Sequence, residues 1–238
     1  MGIFNEKPDV TDLNTDSPKP TENVMTTRWA LPYRILAFLL AAGFWGYYVG
    51  RHPFDATGGW RYLTNWGHSF NLLALAWALA SSWLPGLRTK NPILPTALTI
   101  GTIVVILYWS LYMIDPALVN GAHPLPWYSE WYLHLGSTVT VYIEAICLNK
   151  APTRPIQALG PVALVTIGYI AWVDLVVPRF NNKPCGLTTD TCGYPYPFLN
   201  DLSGQSRMML YVGAGLGLLA LCAALLTLWS KLRTPRDL

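Results

Sequence analysis

Six apolar runs, separated by shorter polar stretches, dominate the hydrophobic pattern of this chain. A helix needs about 20 apolar residues to cross a hydrocarbon core of ~30 Å, and each run is close to that length. The pattern therefore predicts an all-α, polytopic membrane protein with six transmembrane helices. The predicted spans are residues 30–50, 65–83, 93–113, 131–148, 157–177 and 207–228.

The composition also indicates a membrane protein. Of the 238 residues, 52% are hydrophobic and only 12% are charged, about half the charged fraction of soluble domains. Most of the 11 Trp and 13 Tyr residues lie near the ends of apolar runs, as interfacial aromatic belts do. The net charge of +3 is small and spread along the chain, so no nucleic-acid partner is predicted. The composition therefore predicts the bilayer as a partner, while the oligomeric state is not determined.

The polar ends of the chain lie outside the predicted membrane domain. Residues 1–29 show no hydrophobic periodicity and no signal-peptide core, so a disordered cytosolic tail is expected there. Residues 30–230 form the membrane domain, and residues 231–238 form a second short tail. Eleven basic residues fall on the side of the termini and five on the other, which predicts that both termini are cytosolic. The expected location is the endoplasmic reticulum or the plasma membrane.

The four cysteines divide into two pairs. Cys147 and Cys222 lie within or near apolar spans and are interpreted as packing residues. Cys185 and Cys192 bracket six residues of a loop on the predicted lumenal or extracellular side. A disulfide between them suits an oxidising compartment, and a metal site is the alternative interpretation.

The most informative stretch runs from Gly59 to His68, where an exposed loop meets the second apolar run. Lipid-facing packing does not require Thr64, Asn65 and His68 together at a helix start. With both termini cytosolic, His134 of the fourth span lies at the same depth as Thr64. A threonine hydroxyl needs an adjacent base to become a nucleophile, and a neutral imidazole can serve. The hypothesis is therefore that Thr64 acts as a nucleophile in acyl-transfer chemistry.

Three supporting roles follow from this hypothesis. His68, one turn from Thr64 on the same helix face, could be a base. Asp174 of the fifth span is about one turn from the lumenal end and could orient an imidazole, and Asn65 could donate to an oxyanion. Glu144 is ten residues from His134, or ~15 Å along a helix, and is too deep to be its partner.

Structural interpretations remain open for each of these residues. Thr64 could cap its helix, and His68 or His134 could be buried structural histidines. Asp174 could form an ion pair with Arg207 or Arg179. Two histidines and a carboxylate could also bind a metal, although no close ligand spacing supports this.

Four motifs, in this order and spacing, resemble the androgen-induced protein family over about residues 57–229. They are Gly59-Trp60-Arg61-Tyr62-Leu63-Thr64; Trp127 to His134 with Ser137-Thr138 and Ile143-Glu144; Gly168-Tyr169-Ile170-Ala171-Trp172-Val173; and Gly193-Tyr194-Pro195-Tyr196-Pro197-Phe198-Leu199.

The resemblance implies a six-span hydrolase of fatty acid esters of hydroxy fatty acids. It places the nucleophile on Thr64 and the catalytic histidine on His134, and it implies no metal or organic cofactor. The expected acyl tunnel includes Phe70, Leu73 and Trp109. The rival hypothesis is a non-catalytic lipid binder or small transporter that uses the same polar cluster.

Overall fold

A computed structural model describes residues 24–50, 57–87, 91–120, 125–148, 155–181 and 192–232. Within these ranges the chain is helical apart from short turns and connections, and no strand is present. The all-α class predicted from the sequence is confirmed. The simple helices are α1 (Val24–Gly50), α2 (Leu63–Ala80), α3 (Leu94–Ile114) and α4 (Ala117–Asn120).

Two further helices contain π-helical turns. Helix α5 (residues 127–148) contains Trp127–Trp131 and Ser137–Ile143, with π turns at Tyr132–Gly136 and Glu144–Leu148. Helix α6 (residues 155–180) joins Pro155–Ala171 to Val177–Phe180 through a π turn at Trp172–Val176. A short helix α7 (Pro197–Asn200) and a long helix α8 (Gly204–Leu232) complete the described chain. Such π turns are frequent at functional sites, and these three contain His134, Glu144 and Asp174.

Four helical segments are long and apolar enough to cross a membrane. They are Arg28–Tyr48, Leu94–Ile114, Leu159–Phe180 and Gly204–Leu228. An integral, multi-pass membrane protein is thus supported, but the predicted count of six spans is not shown. Helices α2 and α5, the other two predicted spans, carry buried polar side chains such as His68, Asn71, His134 and Glu144.

The helices pack as two connected groups. The first group comprises α1, α2, α3 and α5, and the second comprises α6 and α8. Helix α2 contacts both α1 and α3, α5 contacts α3 and α2, and α6 pairs with α8 beside α3. Close approach of α3 and α5 depends on Gly101, because a Cβ atom there would lie 2.7 Å from the Thr138 hydroxyl oxygen. Small residues of this kind let helix backbones approach each other in membrane bundles.

Glu144 is fully buried in the first group and binds Arg34 of α1. The Arg34 guanidinium donates to both carboxylate oxygens, the shortest distance being 2.7 Å between Nη2 and Oε1. Its Nη1 donates to the Ser82 hydroxyl at 3.1 Å. This contact agrees with the prediction that Glu144 is not the partner of His134. The Glu144 carboxylate instead joins α5 to α1 through Arg34.

The structure describes part of the predicted N-terminal tail and three of the four cysteines. Helix α1 begins at Val24, so residues 24–29 are helical rather than part of a disordered tail, whereas residues 1–23 and 233–238 lie outside the described ranges. Cys147 and Cys222 are free. Cys192 is disulfide-bonded, and its predicted partner Cys185 lies outside the described residues.

Candidate active site

A cavity of about 900 Å³ opens among α2, α3, α5, α6 and α8. Its volume is at the upper end of the range for small-molecule sites, ~300–1,000 Å³. Apolar side chains form most of its wall, including Ile103, Leu107 and Leu218. Polar groups line it at one end, where α2 begins; they include Thr64, Asn65, Tyr108, His134 and Tyr196. Both predicted catalytic residues therefore border the same space.

Thr64 is the second residue of α2. The helix starts at Leu63, and Tyr62 occupies the N-cap position with extended backbone angles. The alternative that Thr64 caps the helix is therefore wrong. Its hydroxyl group instead lies in the first helical turn, where backbone N–H groups and the helix dipole favour negative charge.

Asn65 is tied to the turn that precedes α2. Its Nδ2 donates to the Gly59 carbonyl oxygen at 2.7 Å. This approach requires glycine, because a Cβ atom at Gly59 would lie 2.1 Å from the same nitrogen. An amide nitrogen carries two hydrogens, so this bond leaves one that can serve a ligand in the cavity.

Aromatic side chains hold the Gly58–Arg61 turn over the start of α2. The Trp60 carbonyl accepts from the indoles of Trp66 and Trp172, at 2.8 and 3.1 Å. The Arg61 carbonyl accepts from the Tyr169 hydroxyl at 3.1 Å. The aromatic residues of two sequence motifs thus form one scaffold around Thr64.

The Tyr196 phenol is buried beside the Leu63 N–H group and the Tyr169 hydroxyl. Burial raises the pKa of Tyr196 to about 12, so the phenol keeps its proton at neutral pH. Tyr196 lines the cavity and can act there as a neutral hydrogen-bond donor.

His134 lies in the first π turn of α5 and is buried. Its Nδ1 is 3.1 Å from the Glu130 carbonyl oxygen and 3.4 Å from the Glu130 Oε2. The ring stacks on Tyr108 of α3, with centroids 3.4 Å apart and an interplanar angle of 4°. Because the two acceptors both face Nδ1, that nitrogen carries the proton of the neutral ring and Nε2 keeps its lone pair.

Glu130 is the functional candidate that the sequence analysis missed. The Tyr108 hydroxyl donates to its Oε2, and the Leu125 N–H donates to Oε1 at 3.1 Å. The available signal was its position four residues before His134, since residues so spaced share one helix face. The carboxylate was overlooked because it precedes the predicted span.

Thr64 and His134 face one cavity without a hydrogen bond between them. Within the described part of the chain, the imidazole contacts its neighbours through Nδ1 and the face of the ring. Catalytic hydrogen bonds often tighten only when substrate is bound. The geometry places a hydroxyl and an open imidazole nitrogen around a space that a ligand can enter.

His68 points away from this site. Its Nε2 donates to the Ala41 carbonyl of α1 at 3.0 Å, and the edge of its ring faces Tyr132. The residue does not line the cavity. Its contacts fit the structural interpretation rather than the role of a base.

Asp174 also lies apart from His134. Its Oδ1 accepts from the Tyr194 hydroxyl at 3.3 Å, while the Arg207 guanidinium stacks on the Tyr194 ring at 4.2 Å. His68, His134 and Asp174 thus have separate neighbours, which argues against a metal site formed by these three residues.

The predicted acyl tunnel was assigned to the wrong side chains. Leu73 is 50% exposed on the outer surface of α2, Phe70 packs against the core shared by α1, α2, α3 and α5, and Trp109 contacts Trp131. The helical period alone did not decide which face of α2 and α3 turns inward. The cavity wall consists instead of other residues of α3 and of residues from α6 and α8.

Comparison with known proteins identifies the family. No curated protein and no solved structure gives a significant match to the chain. A model of the family described as FAR-17a/AIG1-like protein matches residues 30–230, which include all six predicted spans and the whole cavity. The resemblance inferred from the four motifs is confirmed, and this chain belongs to the FAR-17a/AIG1-like protein family.

Proposed function

We propose that this protein is an intramembrane lipid ester hydrolase with Thr64 as nucleophile and His134 as base. The observation that carries the proposal is one apolar cavity bordered at its polar end by a hydroxyl and by an imidazole paired with a carboxylate. A long acyl chain suits the apolar part, and an ester group suits the polar end. Family membership is consistent with an enzyme.

In the first step, the Thr64 hydroxyl oxygen attacks the ester carbonyl carbon while its proton passes to Nε2 of His134. The resulting imidazolium lies beside the Glu130 carboxylate, which stabilises its charge. The oxyanion of the tetrahedral intermediate accepts hydrogen bonds from the second Asn65 amide hydrogen and from backbone N–H groups in the first turn of α2. Collapse of this intermediate releases the alcohol, which takes the proton from His134, and leaves an acyl-threonine.

In the second step, water attacks the acyl-threonine. His134 removes a proton from the water and returns it to the Thr64 oxygen as the intermediate collapses. The products are the free fatty acid and the original enzyme. No electron transfer or co-reactant other than water is needed.

Arg61 supports a substrate that carries its own negative charge. Its side chain lines the cavity three residues before Thr64, and its Nη1 also donates to Asn181 at 3.1 Å. A guanidinium recognises a carboxylate well. Fatty acid esters of hydroxy fatty acids combine an internal ester with a terminal carboxylate, and they are the substrate class that we assign.

The test is turnover of such an ester by purified protein in vesicles. Thr64→Ala and His134→Ala should each lower kcat by at least about a hundredfold. The matched control is Thr166→Ala, because Thr166 lines the same cavity but its hydroxyl donates to the Val162 carbonyl of its own helix. This control should retain wild-type turnover.

A fluorophosphonate that labels wild-type protein and not Thr64→Ala would independently support the nucleophile. Full activity of either alanine variant would remove that residue from the mechanism. Saturable binding of the ester without turnover would instead favour the rival, a lipid-binding protein.

A further inference from the structure

Exposed residues occur at one side of the cavity wall. The lining residues contributed by α2, α5 and α6 are buried or half-buried. The exposed lining residues come from α3, from α8 and from the segment before α5: Leu107, Ser110, Pro126, Leu210 and Ala214. A residue that lines the cavity and is also exposed at the outer surface lies at an opening of the cavity. The cavity therefore opens between α3 and α8.

The opening is confined to one end of this helix pair. Leu107 and Ser110 belong to the last two turns of α3, and Leu210 and Ala214 belong to the first three turns of α8. Farther along the pair, Ile103 of α3 packs against a buried cluster that includes Leu218 and Cys222 of α8. The two helices are thus in contact near Ile103 and Leu218, and they are separated near Leu107 and Leu210.

The surroundings of the gap are hydrophobic in character. Both flanking helices are candidate membrane spans over these residues, Leu94–Ile114 and Gly204–Leu228. In a bilayer, the gap consequently faces lipid rather than water. Leu107 and Leu210 are 42% and 41% exposed, so they present apolar surface to acyl chains without covering the opening.

We infer that the gap between α3 and α8 is a lateral portal through which an acyl chain passes from the bilayer into the cavity. This inference rests on the proposed function for the identity of the occupant, a lipid with a long acyl chain. Entry from the side spares the chain any transfer through water, in which exposed CH₂ groups are unfavourable. The ester then reaches Thr64 and His134 while its chain lies along α3 and α8.

Two tryptophan substitutions test the portal. Leu107→Trp and Leu210→Trp narrow the gap, whereas Ile106→Trp and Leu216→Trp are matched controls on the same helices. Ile106 and Leu216 are 47% and 63% exposed but do not line the cavity. In vesicles, both portal variants should lower kcat/KM for a long-chain ester by about tenfold or more. Hydrolysis of p-nitrophenyl acetate, which is small enough to pass a narrowed gap, should fall by a smaller factor in the portal variants. Both activities should stay at the wild-type rate in the controls.

A second measurement does not depend on catalysis. The probe is a long-chain fatty acid with a mid-chain diazirine, incorporated in phosphatidylcholine vesicles. It should label cavity residues of the wild-type protein and of both controls, and it should label the portal variants only weakly. Unchanged long-chain turnover and unchanged labelling in the portal variants would overturn the inference. If wild-type protein hydrolyses neither ester yet the labelling pattern holds, the proposed hydrolase function fails and the portal stands.

Discussion

Nδ1 of His134 lies 3.4 Å from Oε2 of Glu130, one helical turn earlier in α5. The Tyr108 hydroxyl donates to the same carboxylate oxygen, and its ring stacks on the imidazole. Two side chains, Glu130 of α5 and Tyr108 of α3, thus determine the orientation and tautomer of His134. A charged partner behind the ring also stabilises the imidazolium that forms when the other nitrogen accepts a proton.

Glu130→Gln should lower kcat by about a hundredfold, within the range of general acid–base contributions. The amide keeps the size of the side chain and can still bond Tyr108 and Leu125, but it no longer offers a negative charge to the imidazolium. Steady-state turnover measures the effect. Glu130→Asp should recover part of the activity.

Tyr108→Phe is the companion variant. It removes the hydroxyl bond to Glu130 and keeps the ring that stacks on His134, so a loss smaller than that of Glu130→Gln is expected. If Glu130→Gln keeps the wild-type kcat, Glu130 has no positioning role.

Gly59→Ala should reduce turnover without unfolding the protein. The added Cβ would lie 2.1 Å from Nδ2 of Asn65, so the amide must leave its place beside Thr64. Gly86→Ala is the control, because a Cβ there meets nothing within 4 Å. Turnover and thermal melting of both variants should be compared; equal turnover in the two would show that the position of Asn65 is irrelevant to catalysis.

Gly215→Leu should shift the substrate preference to shorter acyl chains. Gly215 lines the cavity beside Thr166, and a Cβ there would lie 3.7 Å from the Thr166 methyl group, so a larger side chain has to extend into the cavity. Gly213→Leu and Gly217→Leu are matched controls on α8, where an added Cβ has open space. A series of esters of increasing chain length measures the preference, and an identical series in Gly215→Leu and its controls would refute the assignment of this wall.

Glu144→Ala should destabilise the protein by about 3–5 kcal/mol, because it leaves the Arg34 guanidinium, whose side chain is only 14% exposed, without its carboxylate. The double variant Arg34→Met with Glu144→Leu should recover most of the lost stability, since a buried ion pair can be replaced by apolar side chains. Thermal unfolding in detergent measures both. Since this pair does not line the cavity, folded Glu144→Ala should retain its kcat, and a loss of kcat at full stability would contradict a packing role.

The sequence alone determined the class of the protein and the principal residues of the candidate site. Long apolar runs can hide their backbone polar groups from lipid only as helices, so the all-α membrane class follows from hydropathy. A hydroxyl and an imidazole at apolar helix ends are costly, which distinguished Thr64 and His134 before any contact was known. The motifs around them also identified the family.

The tertiary structure decided which partners these residues meet, because contacts between helices depend on how each helix is rotated about its axis. Hydropathy does not determine that rotation when most faces of a helix are apolar, as the wrong assignment of Leu73 and Trp109 to the cavity illustrates. The packing of α3 on α5 brought Tyr108 to Glu130 and His134, and the packing of α1 on α2 turned His68 toward Ala41. The gap between α3 and α8 likewise results from where two helices contact and where they separate.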